Sequence, residues 1–241
     1  MDAATYRRVK LRLILKNENI STTVLRCDMF LPYKDENPTQ SFPLFTIVLI
    51  VLNCVVYYLE VYGQPGFENL IKMYALIPCN VNRINVYNYN HYIPFISHMF
   101  LHVNIIHVAS NMLFLWIFGN NIEDVLGVIR FYGFYILCGL AAALTFYLFH
   151  HNECTPIIGA SGAVSGLLGG YVVLFPAARI RVWFMFFILR LPAWFFILLW
   201  FVMQLSNLYG EKLGMTNVAW SAHVGGFIAG FILIIFFKKK Y

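Results

Sequence analysis

The chain has 241 residues, 60% of them hydrophobic and only 12% charged, with a mean hydropathy of +0.69. Soluble domains carry about a quarter charged residues, so the composition excludes an ordinary soluble domain and describes an integral membrane protein. The net charge of +6 does not mark a nucleic-acid surface, because the basic residues lie at the chain ends and between apolar runs, where positive-inside topology places them.

Residues 1–41 hold seven Lys or Arg and no long apolar stretch, which predicts a cytosolic N-terminal tail. A mitochondrial presequence is the less favoured alternative, since Asp2, Glu18 and the scarcity of early serines oppose it. Phe42 to Tyr62 is long enough to span a bilayer and ends in interfacial tyrosines. Residues 63–97 are broken by Gly63, Pro65, Gly66, Pro78 and Pro94, with an Asn/Tyr-rich patch from Asn85 to Tyr92, and predict a long outer loop. Next come His98, His102, His107 and Asn111. On one ideal helix the first pair would lie about 180° from the second, so the second helix is expected from near Asn104 to about Gly119, with His98 and His102 left in the loop. After a polar break at Asn120–Asp124, a third span is expected over 131–149 and a fourth over 157–175. The uncharged core of 176–190 is too short to cross and predicts an interfacial connector. The fifth span is expected over 192–208 and the sixth over 218–237, followed by a basic tail at 238–241. The predicted fold is an all-α membrane protein, a compact bundle of six transmembrane helices forming one domain over 42–237. The five cysteines show no metal-ligand spacing and carry little functional signal.

Six spans put both termini on one side. With the termini cytosolic, fourteen of the seventeen Lys and Arg fall inside, only Lys72, Arg83 and Lys212 falling outside, which favours that orientation. The second, fourth and sixth helices then all run from outside to inside. His107 and Asn111, Ser161, and His223 each fall within the first two turns of their helix and so lie at similar depth in the outer part of the membrane. Polar groups there are costly and face an interior or a wet cavity. Ser161, Ser165 and Gly169, beside Gly162, Gly166 and Gly170, make one small-residue surface; His223, Gly226 and Gly230 make another. If those surfaces meet, Ser161 and His223 approach each other.

Histidine beside serine makes a weak hydroxyl nucleophilic. The chemistry expected is acyl transfer on a peptide bond, with His223 as general base and Ser161 as nucleophile. His107, Asn111 and the backbone N–H of Ser161 are candidate oxyanion donors. The spans hold no acidic residue apart from Glu60, so a dyad is expected in place of a Ser-His-Asp triad.

These residues resemble the rhomboid intramembrane serine proteases. Gly159-Ala160-Ser161-Gly162 resembles the family's nucleophile motif, Ala222-His223-Val224-Gly225-Gly226 its general-base motif, and His98 through Asn111 its histidine-rich second-helix motif. Asp35 to Thr39, Phe118 to Asp124 and Leu191 to Trp194 are similar to the six-helix bacterial branch, and the resemblance covers roughly 36–237. It implies an endopeptidase without metal or cofactor that cuts transmembrane-helix substrates near their outer end and admits them by motion near the fifth helix. His98, His102, Gly159, Gly162, Gly226 and Gly230 are expected to be structural near the site. Ser165 and Ile93-Pro94 depart from the family pattern, which often has an aromatic residue and a Trp-Arg pair there.

Two rival readings use the same residues. Ser161 and the glycines could serve helix packing in a non-catalytic membrane scaffold, which leaves the polar residues at one depth unexplained. His98, His102, His107 and His223 could ligate a metal or haem, against which no HExxH is present. The expected location is the bacterial inner membrane, with an organellar membrane as the alternative, and the expected partners are substrate helices and lipid.

Overall fold

The computed structural model describes residues 31–81, 92–216 and 218–238. The expectations for residues 1–30, for most of the Asn/Tyr-rich patch and for the last lysines lie outside the described residues. Six main helices follow one another: α1 (Leu44–Tyr62), α2 (Ile105–Leu126), α3 (Val128–His150), α4 (Ser161–Leu174), α5 (Ala193–Lys212) and α6 (Trp220–Phe237). Five are long and apolar enough to cross a membrane. The other, α4, has 14 residues and is about 21 Å long at 1.5 Å per residue, short of a hydrocarbon layer of about 30 Å.

The short helix is the centre of the bundle. Every residue from Gly162 to Tyr171 is buried, and α2, α3, α5 and α6 pack around it. Its closest neighbour is α6, with Gly226 against the carbonyl of Gly162 and Gly230 against that of Gly166, where a Cβ would overlap the opposing backbone. Lipid tails are as apolar as any side chain, so helices in a bilayer gain by close packing, which such glycines allow.

At one end of the bundle the structure departs from the sequence reading. The stretch taken as a polar break after the second span is helical: α2 passes through a π turn at Leu115–Gly119 and continues to Leu126. Its carboxylates are occupied by the start of the first helix and the residues just before it. Glu123 accepts from the backbone N–H of Phe45 and of Thr46 and from the Thr46 hydroxyl, each at 2.8 Å. Asp124 accepts from the N–H of Gln40 and of Ser41 and from the Ser41 hydroxyl. The first N–H groups of a helix lack intrahelical acceptors and favour negative charge, so Glu123, in what looks like a span boundary, caps α1 while Asp124 holds the segment that leads into it.

The expected connector at 176–190 is a β-hairpin, β2 (Arg179–Phe184) and β3 (Phe187–Pro192). With β1 (Leu31–Asp35), from the segment expected as a tail, it forms an antiparallel sheet of order β1-β2-β3. Glu36 accepts from Arg181 at 2.6 Å, and Asp35 accepts from Asn121 at 2.6 Å and from the Tyr171 hydroxyl at 3.0 Å. Two stretches singled out in the sequence, near Asp35 and near Asn121, therefore meet. At the opposite end, a short helix Phe67–Tyr74 and single turns Pro78–Val81 and Pro94–Ser97 cover the bundle. Cys79 and Cys154 form a disulfide and Leu76 pairs with Ile157, fastening the long loop to the segment that leads into α4. Two cysteines that carried no signal as sequence thus carry a structural one.

Candidate active site

α2, α4 and α6 begin at the loop-covered end. The chain enters α4 through Gly159, whose φ of +116° is a backbone state that side chains disfavour. The Gly159 N–H donates to the His98 carbonyl at 2.8 Å, which leaves Ser161 as the first residue of α4, its own N–H without an intrahelical acceptor. His223, in the first turn of α6, brings Nε2 to 2.8 Å from Ser161 Oγ. Both residues are half-buried.

The other face of His223 is held by α5. Its Nδ1 lies 2.9 Å from Gln204 Oε1, and the Gln204 amide nitrogen donates to the Trp200 carbonyl one turn earlier at 3.1 Å. The Trp200 ring lies nearly parallel to the imidazole and the Trp220 ring meets it edge-on, at centroid distances of 6.4 and 5.8 Å. Ser165 does not support the ring; its hydroxyl donates to the Ser161 carbonyl. Close by, Glu211 at the end of α5 accepts from the N–H and hydroxyl of Ser221 at 2.6 and 2.8 Å and lies 3.1 Å from His150 Nε2. That cluster joins the ends of α3 and α5 to the start of α6, two residues before His223.

α2 supplies the remaining polar groups. Asn104 caps it by accepting from the His107 N–H at 2.8 Å, and the His107 ring lies against Gly159: a Cβ there would be 2.8 Å from His107 Nε2 and 3.7 Å from Ser161 Oγ. Asn111 follows one turn later, buried, with its amide nitrogen unpartnered among the described residues. His98 is buried, its Nδ1 2.8 Å from the Pro94 carbonyl. The backbone N–H of buried His102 donates to Glu60 at 3.0 Å, while its ring meets the His107 ring edge-on at 5.0 Å. His102 lies in the loop before α2, so helical phase does not separate it from His107. Gly162, Gly226 and Gly230 lie in the α4–α6 contact described above. Among the described residues no three His, Cys, Asp or Glu side chains gather as a metal site would require.

Gln204, Trp200, Trp220 and Glu211 escaped the sequence reading. Gln204 left a usable signal, a polar side chain inside an apolar span, but it belongs to no motif and lies far along its span from the first two turns where the other polar residues fall.

Comparison with known proteins points the same way. Residues 89–240 match the Rhomboid domain family model. The chain is 30% identical to "Rhomboid protease GlpG" of Haemophilus influenzae over 191 residues, covering 78% of this chain and 87% of the relative. It is 29% identical to "Rhomboid protease GluP" of Bacillus subtilis over 191 residues, covering 78% and 34%. It is 32% identical to "Rhomboid protein 1, mitochondrial" of Saccharomyces cerevisiae over 146 residues, covering 57% and 40%. The chain thus spans well under half of the latter two. With most of its membrane helices inside the matched region, this multi-pass membrane protein belongs to the rhomboid family.

Proposed function

We propose that the chain is a serine-type intramembrane endopeptidase with Ser161 as nucleophile and His223 as general base. The observation that carries this reading is the 2.8 Å contact between His223 Nε2 and Ser161 Oγ, within the distance at which a base can take a hydroxyl proton. Ser161 Oγ attacks the scissile carbonyl as its proton passes to Nε2. The same proton then goes to the departing amine, and water releases the acyl group by the reverse use of the pair. The Ser161 N–H, His107 and Asn111 are the donors this reading assigns to the oxyanion, and an unspent donor such as the Asn111 amide suits a charge present only in the transition state.

Substrates in this reading are transmembrane helices cut near their outer end, because Ser161 opens α4 at the loop-covered end. The side of entry is α5, which buries only Ala193, Phe196, Ile197, Gln204 and Glu211. The catalytic unit is 42–237. Both termini face the cytosol, in accord with the distribution of basic residues. The bacterial inner membrane suits the six-helix organisation, and the yeast relative supplies the organellar alternative.

The test is cleavage of a generic transmembrane substrate by the purified protein in liposomes. Wild type should cut it, and Ser161→Ala and His223→Ala should not, while remaining inserted and folded. Substantial turnover by either variant overturns the assignment.

A further inference from the structure

We infer that Gln204 is a positioning residue for the base, accepting the Nδ1 proton of His223 and so holding the imidazole with a bare Nε2 toward Ser161; this rests on the function proposed above. A neutral histidine has one N–H, and which nitrogen carries it decides whether the ring can take a proton from Ser161. The amide of Gln204 settles this. Its nitrogen faces the Trp200 carbonyl at 3.1 Å, a group that can only accept. Reversing the amide would set two acceptors face to face, so the oxygen is the atom 2.9 Å from Nδ1, and an oxygen there requires Nδ1 to be the donor. Nε2 is left with its lone pair 2.8 Å from the Ser161 hydroxyl.

Burial shows that this is more than a local bond. α5 faces outward along most of its length, yet Gln204 is only 3% exposed. A bond to the preceding turn could form anywhere on the helix surface; the inward face is needed to reach α6. The neutral amide also suits the medium. A carboxylate at this depth would carry an uncompensated charge whenever His223 is neutral, whereas an amide orients the ring without one and supports the imidazolium through the same bond. During attack the Oγ–H proton moves to Nε2, Nδ1 keeps its own proton, and Gln204 neither gains nor loses one. Because the acceptor sits on α5, the base is oriented only while α5 lies against α6.

The experiment uses the full chain in liposomes and compares wild type, Gln204→Met and Gln204→Glu. Three readouts apply: kcat and KM on a transmembrane substrate, the rate at which a fluorophosphonate labels Ser161, and the pH profile. A misoriented base forfeits part of the roughly 10²- to 10⁴-fold that general-base catalysis supplies. Gln204→Met should therefore lower kcat and labelling together by roughly 10- to 100-fold with KM little changed. Gln204→Glu restores an acceptor, so it should recover most of the rate. Its negative charge favours the imidazolium, so the acidic limb of the profile should move to higher pH. Wild-type kcat and labelling in Gln204→Met would overturn the inference while leaving the protease reading intact, as would a loss that Gln204→Glu neither rescues nor shifts in pH. A wild type that neither cleaves nor is labelled would overturn both.

Discussion

Gly159 and His107 share one corner of the site: a Cβ on Gly159 would lie 2.8 Å from both Cε1 and Nε2 of the His107 ring. A side chain there meets two penalties, strain at a φ of +116° and displacement of a proposed oxyanion donor. Misplacing a catalytic group by an ångström can cost about 10²-fold in rate, so Gly159→Ala should lose about that much turnover while remaining inserted. Gly66 is a control, with φ +85° and nothing within 4 Å. Gly66→Ala should affect stability alone, and equal turnover losses in the two variants would reassign the effect to the fold.

Asn111 separates hydrogen bonding from metal ligation. Its buried amide nitrogen has no partner among the described residues, as expected of a donor kept for a transient charge. Loss of one oxyanion donor typically costs about 10²- to 10³-fold in kcat. Asn111→Ala should fall in that range with substrate affinity unchanged, and chelators should leave wild type unaffected. Stoichiometric metal in the purified protein, lost with His107→Ala in step with activity, would favour ligation.

Glu123 supports the fold at the other end. Three donors converge on its carboxylate, two of them backbone N–H groups at the start of α1, and hydrogen bonds to charged groups are worth about 1.5 to 3 kcal/mol each. Glu123→Ala should therefore destabilise by about 3 kcal/mol or more, and Glu123→Gln by less, since it keeps one acceptor. Unfolding in a detergent series measures this. A change below about 0.5 kcal/mol, typical of an exposed substitution, would mean that α1 starts without that cap.

The main helices were legible because an apolar run long enough to span has few alternatives, and Ser161, His107, Asn111 and His223 stood out because polar groups are costly at that depth. Other features were hidden for identifiable reasons. Asn120–Asp124 resembles a boundary until the N–H groups it serves, some eighty residues away, are in place. The hairpin was obscured by its apolar tip, Trp183 to Ile188, and by a partner strand in a segment of different composition. Cys79 and Cys154 are 75 residues apart, a separation with no motif. The contact between the His102 and His107 rings was not legible, because His102 lies in the loop before α2 and loop geometry has no periodicity to read.

Asp35 gives a pH dependence with a definite sign. Burial raises its pKa above the ordinary value, outweighing the hydrogen bonds from Tyr171 and Asn121 that act the other way. A carboxyl whose folded pKa is raised binds its proton more tightly in the folded state, so its contribution favours folding below the ordinary pKa and declines as pH rises to the folded one. Asp35→Asn keeps an acceptor without the charge. It should match or exceed wild-type stability at neutral pH and remove that part of the acid-side dependence. A strong loss of stability at neutral pH would show that Asp35 serves as a paired anion.

Cys79 and Cys154 offer a test of orientation independent of counting charges. Disulfides persist in oxidising compartments and are rare in the cytosol, and this one closes the end of the bundle from which Ser161 opens α4. The hairpin tip lies beyond the opposite end, with Phe186 89% exposed. In intact cells an impermeant maleimide should label Cys79 and Cys154 only after reduction. Phe186→Cys should add a site labelled only once the membrane is opened. Reduction should also loosen the loop that carries Leu76 and faces Ile157. The chain-entropy estimate for so long a closed loop is about 4.5 kcal/mol, but α2 and α3 lie within it and stay helical in the bilayer, which leaves less freedom to gain. A loss of about 2 kcal/mol, the lower end of the usual range, is expected, with reduced turnover. Labelling of Phe186→Cys in intact cells, with Cys79 and Cys154 protected until lysis, would reverse the orientation and place Ser161 near the cytosolic face.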